Sequence, residues 1–397
     1  MDKSNINNLI NNIKGELVTC YKMFHQNPEL SNEEYKTTQM IKDILNEAGI
    51  EVLDTSLKTG LVARIEGKSK GPVVALRCDI DALKIDEETD LEYRSLNKGV
   101  MHACGHDFHI ATMIGAALLL KEKQDELQGT VKIIFQPAEE DGHGAEDVIA
   151  TGALNDVWTI FGVHTSTVLN VGEIGLTLNP PTAAVDHFMI NINGVGTHAA
   201  HPQKGVDPII ISAHIITALQ TIITRNVSAF DSALISITNV HSGTTWNVIP
   251  STAFIEGTVR TLDKDTRKLI EEKMRAISTS IATSFGGEAE FIWRQGPPAT
   301  DNSPRWVEVA KNVAMKSALR VKTSPPSLGG EDFAYYQERI PGVFIHMGTG
   351  DAYPQHHPKF TVDTTALYGS AVYFKNLAIE SLKKLNEEEG LYSGEGI

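Results

Sequence analysis

The chain is poor in three things. It holds three cysteines in 397 residues, Cys20, Cys78 and Cys104. They do not make a disulfide framework, so reduced thiols in a cytoplasmic protein are expected. It has no long apolar run: a stretch such as Ile114–Leu120 is far too short to span a bilayer. The first residues, M-D-K-S-N-I-N-N, carry no apolar signal core, so export is not expected. It also lacks positive charge. Fifty acidic residues against 35 basic ones leave a formal net charge of -15, which argues against a polyanionic partner and offers no basic patch for nucleic acid or membrane. Neither an internal repeat nor a low-complexity tract is present.

What is present is ordinary for a soluble globular chain, with 41% hydrophobic and 21% charged residues. The length exceeds one simple core, and two domains are expected. The densest chemistry lies at Met101–His109, M-H-A-C-G-H-D-F-H. Cys104 and His106 flank one glycine, so a tight turn can point both at one metal ion. The apolar run Ile110–Leu120 follows as a buried helix.

Around this stretch the periodicity alternates. Residues 6–24 have helical spacing and predict one amphipathic helix. Ser31 and Glu34 form a capping-box pattern for a second helix, which Gly49 stops. Short β-like runs follow at Leu61–Glu66 and Val73–Arg77, then the helix after Met101–His109, then a strand at Thr130–Phe135. Such alternation predicts an α/β fold with a partly parallel, mixed sheet flanked by helices. Ligands of these sheets gather beyond strand ends. Three of those ends deliver donors: Asp79, the pair Glu139-Glu140, and His164.

From Asp186 to Gly296 the order is strand, helix, strand, strand, helix, strand, the βαββαβ pattern of a ferredoxin-like unit. Pro180-Pro181 and Pro297-Pro298 bracket it like hinges. We therefore expect a discontinuous catalytic domain, 1–181 and 298–397, with an inserted domain at 182–297. Helical spacing resumes at Pro304–Leu319, and a strand at Gly342–Met347 leads to Q-H-H-P at Gln355–Pro358.

Cys104, His106, Glu140, His164 and a histidine near 356 are more donors than a single catalytic zinc uses. Two metals would use them, activating water and polarising a carbonyl. If Glu140 is a ligand, its neighbour Glu139 is free to act as general base. Singly, each residue has a plainer reading: a buried small thiol, a solvated acidic pair, a core histidine. Their joint placement after apolar strands is what favours metal-assisted amide or ester hydrolysis.

In order along the chain stand H-Q-N-P-E-L-S (25–31), R-C-D-I-D-A-L (77–83), M-H-A-C-G-H-D (101–107), Q-P-A-E-E (136–140) and G-V-H (162–164). G-T-H-A-A (196–200), N-V-I-P (247–250), G-T-V-R-T (257–261), G-G-E-D-F (329–333) and H-H-P (356–358) continue the series. This ordered set resembles peptidase family M20, metal-dependent amidohydrolases and exopeptidases, and within it the aminoacylase, hippurate hydrolase and auxin-conjugate hydrolase branch. The resemblance implies a dinuclear catalytic domain with an inserted lid, and a homodimer or homotetramer formed through that lid. It implies metal-ligand roles for Cys104, His106, Glu140, His164 and His356, the last chosen over His357 by the pattern H-x-P. It implies the base role for Glu139, oxyanion stabilisation by His198, and a hold on the substrate carboxylate or carbonyl by Asn247 and Arg260. The implied cofactors are two divalent ions, zinc or manganese, with cobalt or nickel able to substitute. The implied substrates are N-acyl amino acids. Rival readings are a dipeptidase, an N-acetyl-diaminopimelate deacetylase, a carbamoylase, a non-catalytic dimeric homologue, and a chain whose metal only stabilises the fold. The sequence departs from the family at Cys78, Lys84 and His201, where alanine, proline and methionine are usual. Asp107 is expected to support a metal ligand, with His102 and His109 left to packing or hydrogen bonding.

Overall fold

The computed structural model describes residues 3–178, 180–324, 326–350 and 352–394. The chain divides into two compact units. One is Met1–Pro181 with Asp301–Pro325 and Asp332–Ile397; the other is Thr182–Thr300 with Pro326–Glu331. The second unit thus extends past residue 297 and recruits a separate segment. Hydrogen bonds explain both additions: Thr182 N donates to Thr300 Oγ1 at 2.9 Å, and Ala183 N donates to Gly329 O at 2.9 Å.

The first unit is built on an eight-stranded mixed sheet. Its order is Glu51–Val52, Leu61–Glu66, Gln128–Gln136, Ser69–Asp79, Val157–Ser166, Gly342–Gly348, Glu173–Gly175, Arg320–Lys322. The four strands from Gln128–Gln136 to Gly342–Gly348 run parallel. Side chains alternate across it, as the two-residue period of a strand requires. Val74 and Leu76 enter the core on one face, while Ala75 enters the core on the other. Helices His106–Lys121 and Ala366–Gly394 cover the first face, and Ile13–Gln26 packs on the former. In His106–Lys121 every residue except Leu119 and Lys121 is buried, so the helix is enclosed on all sides and has no solvent face to pattern. Gly144–Ala150 and Ala334–Gln337 contribute to the core on the opposite face.

Two local expectations fail. The predicted N-terminal helix is two, Lys3–Asn11 and Ile13–Gln26. Asn12 interrupts it by accepting the Gly15 amide at 3.2 Å, because an asparagine side chain serves better as a helix cap than as a helix interior. Ser31 and Glu34 do not form a capping box either. Glu34 occupies the cap position of Tyr35–Glu47 without a side-chain cap bond. Glu29 takes that work, accepting from Lys36 N and Thr37 N at 3.2 and 2.8 Å.

The second unit contains a four-stranded antiparallel sheet in the order Glu288–Gln295, Ala184–Asn193, Thr252–Thr261, Ala233–Ser242. Helices Pro208–Arg225 and Lys264–Ser284 share its apolar core, through Ile211, Ile215, Leu219, Ile270 and Met274 against Phe188, Ile190 and Ile255. The chain order and strand order are those of a ferredoxin-like βαββαβ unit. The buried Asp186 carboxylate is pinned by Arg267 at 2.6 Å. Pro208–Arg225 has 18 residues of mean hydropathy 1.3, yet it is a packed helix of this unit with one third buried. Sequence periodicity missed a small two-stranded antiparallel sheet in which Thr197–His198 pairs with Val248–Ile249.

Candidate metal centre

All the donors except His164 stand where a regular element of the first unit begins, ends or turns. Gly105 separates Cys104 from His106 with φ +87°, and a Cβ there would lie 2.8 Å from Thr165. Glycine alone fits that turn, which directs Cys104 back and starts the helix at His106. Gln128–Gln136 ends in Pro137-Ala138, where Ala138 has φ +52°, and delivers Glu139 and Glu140. His164 sits inside the strand Val157–Ser166 instead of following it. His356 has φ +65°, its backbone held by a 2.8 Å bond from its own N to Ala103 O.

Three overlapping triads result: Cys104, His106 and His164; Cys104, Glu140 and His356; and His106, Glu139 and Glu140. Within each triad the potential ligand atoms lie within 4.8 Å of one another. Cys104 Sγ is 3.5 Å from His164 Nε2, and Glu140 Oε1 is 3.4 Å from His356 Nε2 and 3.9 Å from His106 Nε2. The far side of two imidazoles is engaged. His164 Nδ1 lies 2.8 Å from Thr165 O, and His106 Nδ1 lies 2.9 Å from Asp81 O and 3.2 Å from Asp81 Oδ1. Backbone or carboxylate acceptors on Nδ1 leave Nε2 as the lone pair that a metal takes. His356 faces Glu140, whereas His357 stacks on Tyr353 with centroids 4.3 Å apart.

These residues fit divalent ions on two grounds. His106 Nε2 and Glu140 Oε1 are buried and make no hydrogen bond among the described residues, an arrangement that is costly unless another group satisfies them. The field is also too negative. Burial pulls His106 down, but Asp79 and Asp81 outweigh it and lift its pKa to about 10. Burial, then Glu140 and Glu139, push the Cys104 thiol well above its usual range. A cation among them removes both penalties and favours the thiolate.

The remaining side chains of Met101–His109 hold the site's walls. His109 Nδ1 donates to Asp79 Oδ1 at 2.5 Å, and its Nε2 accepts the Thr165 amide at 2.8 Å. Asp79 is also paired at 2.8 Å with Arg77, which reaches Asp332 at 2.7 Å; all three are fully buried. His102 is buried, and burial pushes it down to about 4. Asp107 does not support a metal ligand as expected. Its carboxylate turns away to His25 Nδ1 at 2.6 Å. The support for His106 comes from Asp81, which the sequence showed only as part of R-C-D-I-D-A-L.

The His25 contact has a measurable consequence. Burial lowers His25, but the hydrogen bonds to Asp107 and Glu87 win and hold it at about 9, above its ordinary 6.5. The stabilisation is full below pH 6.5 and is lost as pH rises through 9. Its ceiling is about 3 kcal/mol. Urea unfolding is expected to show falling stability from pH 7 to 9, and His25→Gln to flatten that slope. An unchanged slope would mean the pair is not linked to folding.

His198, Asn247 and Arg260 belong to the second unit. The small two-stranded sheet brings two of them together: Val248 pairs with His198, and Ala199 N donates to Asn247 O at 3.1 Å. His198 is exposed, and its Nδ1 accepts the Ala200 amide at 3.0 Å, which leaves Nε2–H as a donor. Arg260 is half-buried on the strand Thr252–Thr261, and burial lowers its pKa against the pull of Asp186. A cleft of about 770 Å³ in this unit is lined by Gly196, His241, Gly243 and Val248, among others, and by none of the first unit's donors.

A buried cysteine, histidines and glutamates gathered at the turns of a mixed sheet define a metal-dependent hydrolase. The chain belongs to peptidase family M20/M25/M40, whose family model matches residues 75–378, and it is a hydrolase of amide bonds. It is 46% identical over 387 residues to an N-acetyl-L-cysteine deacetylase of Bacillus subtilis (strain 168), covering 98% of this chain and 92% of that one. It is 34% identical over 395 residues to the IAA-amino acid hydrolase ILR1-like 4 of Arabidopsis thaliana, covering 94% and 89%. The crystal structure of the Bacillus subtilis YXEP protein, described as a dinuclear metal binding peptidase from the M20 family, superposes with a TM-score of 0.85. Its identity is 43%, over 96% of this chain and 99% of that one.

Proposed function

We propose that the protein hydrolyses the amide bond of N-acyl amino acids, releasing a carboxylate and the free amino acid. The observation that carries this reading is the cluster itself, five candidate metal ligands of three residue types with Glu139 beside them and two buried atoms in need of a cation. The deacetylase and amino acid hydrolase relatives support the substrate class. Cys104, His106, Glu140, His164 and His356 would hold two divalent ions, zinc or manganese. Such ions supply Lewis acidity toward the amide carbonyl and acidify water. Glu139 takes the proton of the attacking water and returns it to the leaving nitrogen. His198 offers its Nε2–H to the oxyanion as charge develops. Asn247 and Arg260 hold the substrate carboxylate or carbonyl, where a guanidinium can pair bidentately.

Amine release from a panel tests the reading. N-acetyl amino acids, hippurate, N-acetyl-diaminopimelate, dipeptides and N-carbamoyl amino acids would be compared with the protein in its native metal. The best N-acyl amino acid is expected to reach kcat/KM on the order of 10⁴ M⁻¹s⁻¹. A dipeptide or carbamoyl compound turned over faster would assign the site to a rival reaction, and inactivity throughout would favour a binding protein.

We further propose that the second unit forms a homodimer. Ala233–Ser242 is an edge strand with Val240 exposed, and Pro208–Arg225 presents Ile209 and Ile210 to the outside. An unpaired edge beside exposed isoleucines is a template for a second copy. Light scattering is expected to give a dimer that Val240→Lys with Ile210→Glu converts to monomer. A wild-type monomer would refute the proposal, and a tetramer would place a further interface elsewhere.

A further inference from the structure

The motif H-Q-N-P-E-L-S and the residues after it have no part in the chemistry above, yet their polar side chains converge on it. Glu34 is fully buried, and its Oε1 accepts the Ala138 amide at 2.8 Å. Asn32 Nδ2 donates to Asp141 Oδ2 at 3.2 Å. Ser31 Oγ donates to Asp81 Oδ2 at 2.7 Å, and that same oxygen accepts the Glu140 amide at 3.0 Å. Three contacts thus tie one loop to both sides of Glu139-Glu140, across about a hundred residues of chain.

We propose that Ser31–Glu34 is a positioning clasp that holds the turn at 137–142 in the conformation presenting Glu139 and Glu140. The turn needs such a clasp. Ala138 has φ +52°, a left-handed conformation that an alanine leaves unless its surroundings over-determine it. The turn's own backbone bonds, Gly142 N to Glu139 O at 2.7 Å and Gly144 N to Ala138 O at 3.2 Å, hold carbonyls and leave the amide of the strained residue to another partner. The bond to the Ala138 amide itself comes from Glu34. Glu34 is available because Glu29 caps the helix that Glu34 begins. Asn32, at φ +65°, turns the loop so that Ser31 and Glu34 reach the same segment. These are positioning residues that act through the backbone beneath Glu139 and Glu140.

The proposal rests on the assignment of Glu139 as base and Glu140 as ligand, so its test includes a readout that needs no substrate. Hydrogen exchange of the 137–142 segment would be followed in Glu34→Ala, Glu34→Gln, Asn32→Gly, Ala138→Gly and the Glu34→Ala/Ala138→Gly double variant, with kcat and KM alongside. Glu34→Ala is expected to speed exchange there and lower kcat about tenfold or more with KM little changed, since small misplacement of catalytic groups is costly. Glu34→Gln keeps an acceptor oxygen and is expected to retain most of the rate. Glycine adopts φ > 0 freely, so the loss from Glu34→Ala should shrink in the Ala138→Gly background. Asn32→Gly preserves that residue's backbone while deleting its bond, and carries the test if Glu34→Ala fails to fold; faster exchange at 137–142 is expected. Unchanged exchange in both Glu34→Ala and Asn32→Gly would overturn the clasp. So would equal loss in Glu34→Ala and Glu34→Gln, or strict additivity with Ala138→Gly. If wild type hydrolysed no amide but exchange rose as expected, the clasp would stand and the catalytic assignment would fall.

Discussion

Glu139→Gln is expected to lower kcat by on the order of 10²–10⁴-fold, the range usual for a lost general base. Metal content, measured by mass spectrometry, is expected to stay at the wild-type level. Gln has the same size and keeps one acceptor oxygen, but it cannot take a proton from water. Glu139 and Glu140 are neighbours, yet their surroundings differ. The Glu140 backbone is tied through its amide to Asp81, and its Oε1 lies 3.4 Å from His356 Nε2. Glu139 shares one triad with His106 and Glu140, and a second places it beside the buried carboxylate of Asp332. Near-wild-type turnover by a fully metallated Glu139→Gln protein would sink the mechanism. Loss of metal together with activity would instead move Glu139 among the ligands.

Chelation is expected to abolish turnover and leave the fold standing. Dialysis against a strong chelator should remove activity, keep the far-UV circular dichroism spectrum, and lower Tm without unfolding the protein at room temperature. Adding the native metal back should restore the rate. The reason lies in where the donors sit. Trp306, Phe24, Phe108, Phe161 and Phe344 are buried in the first unit's core, and each large apolar side chain stabilises by roughly 1.5–3 kcal/mol. That core closes without Cys104, Glu140 or His356, which hang on turns at its rim. Removal of the metal leaves the crowded carboxylates around His106 uncompensated, which explains the lower Tm. Global unfolding on chelation would show that the metal is structural and would reopen the question of catalysis.

Much of this was legible before any fold was known. The short β-like runs at Leu61–Glu66 and Thr130–Phe135 exposed the sheet, and the apolar run after His109 exposed its central helix. The βαββαβ unit could be read from alternating periods with little error at its ends. The metal-ligand types were visible because cysteine, histidine and paired glutamates seldom cluster after apolar strands by chance. Asp81, Ser31 and Glu34 were not visible as supports. Their roles depend on hydrogen bonds between segments 50 to 104 residues apart, and no local pattern encodes such a partner. Asp107 was misread for the same cause: its place beside His106 says nothing about which way its carboxylate turns.

Taken alone, the amino-acid sequence determined most of the longer strands and helices and the donor types of the candidate site, because periodicity, turn chemistry and side-chain identity are local properties. Tertiary structure decided the rest. Packing around Gly105 aims Cys104 and His106 at one point, the left-handed Ala138 turns Glu139 and Glu140 toward them, and His356, not His357, faces Glu140. Those outcomes rest on contacts made across the whole first unit, where burial forces each polar group to find a partner and so selects one arrangement among those the sequence permits.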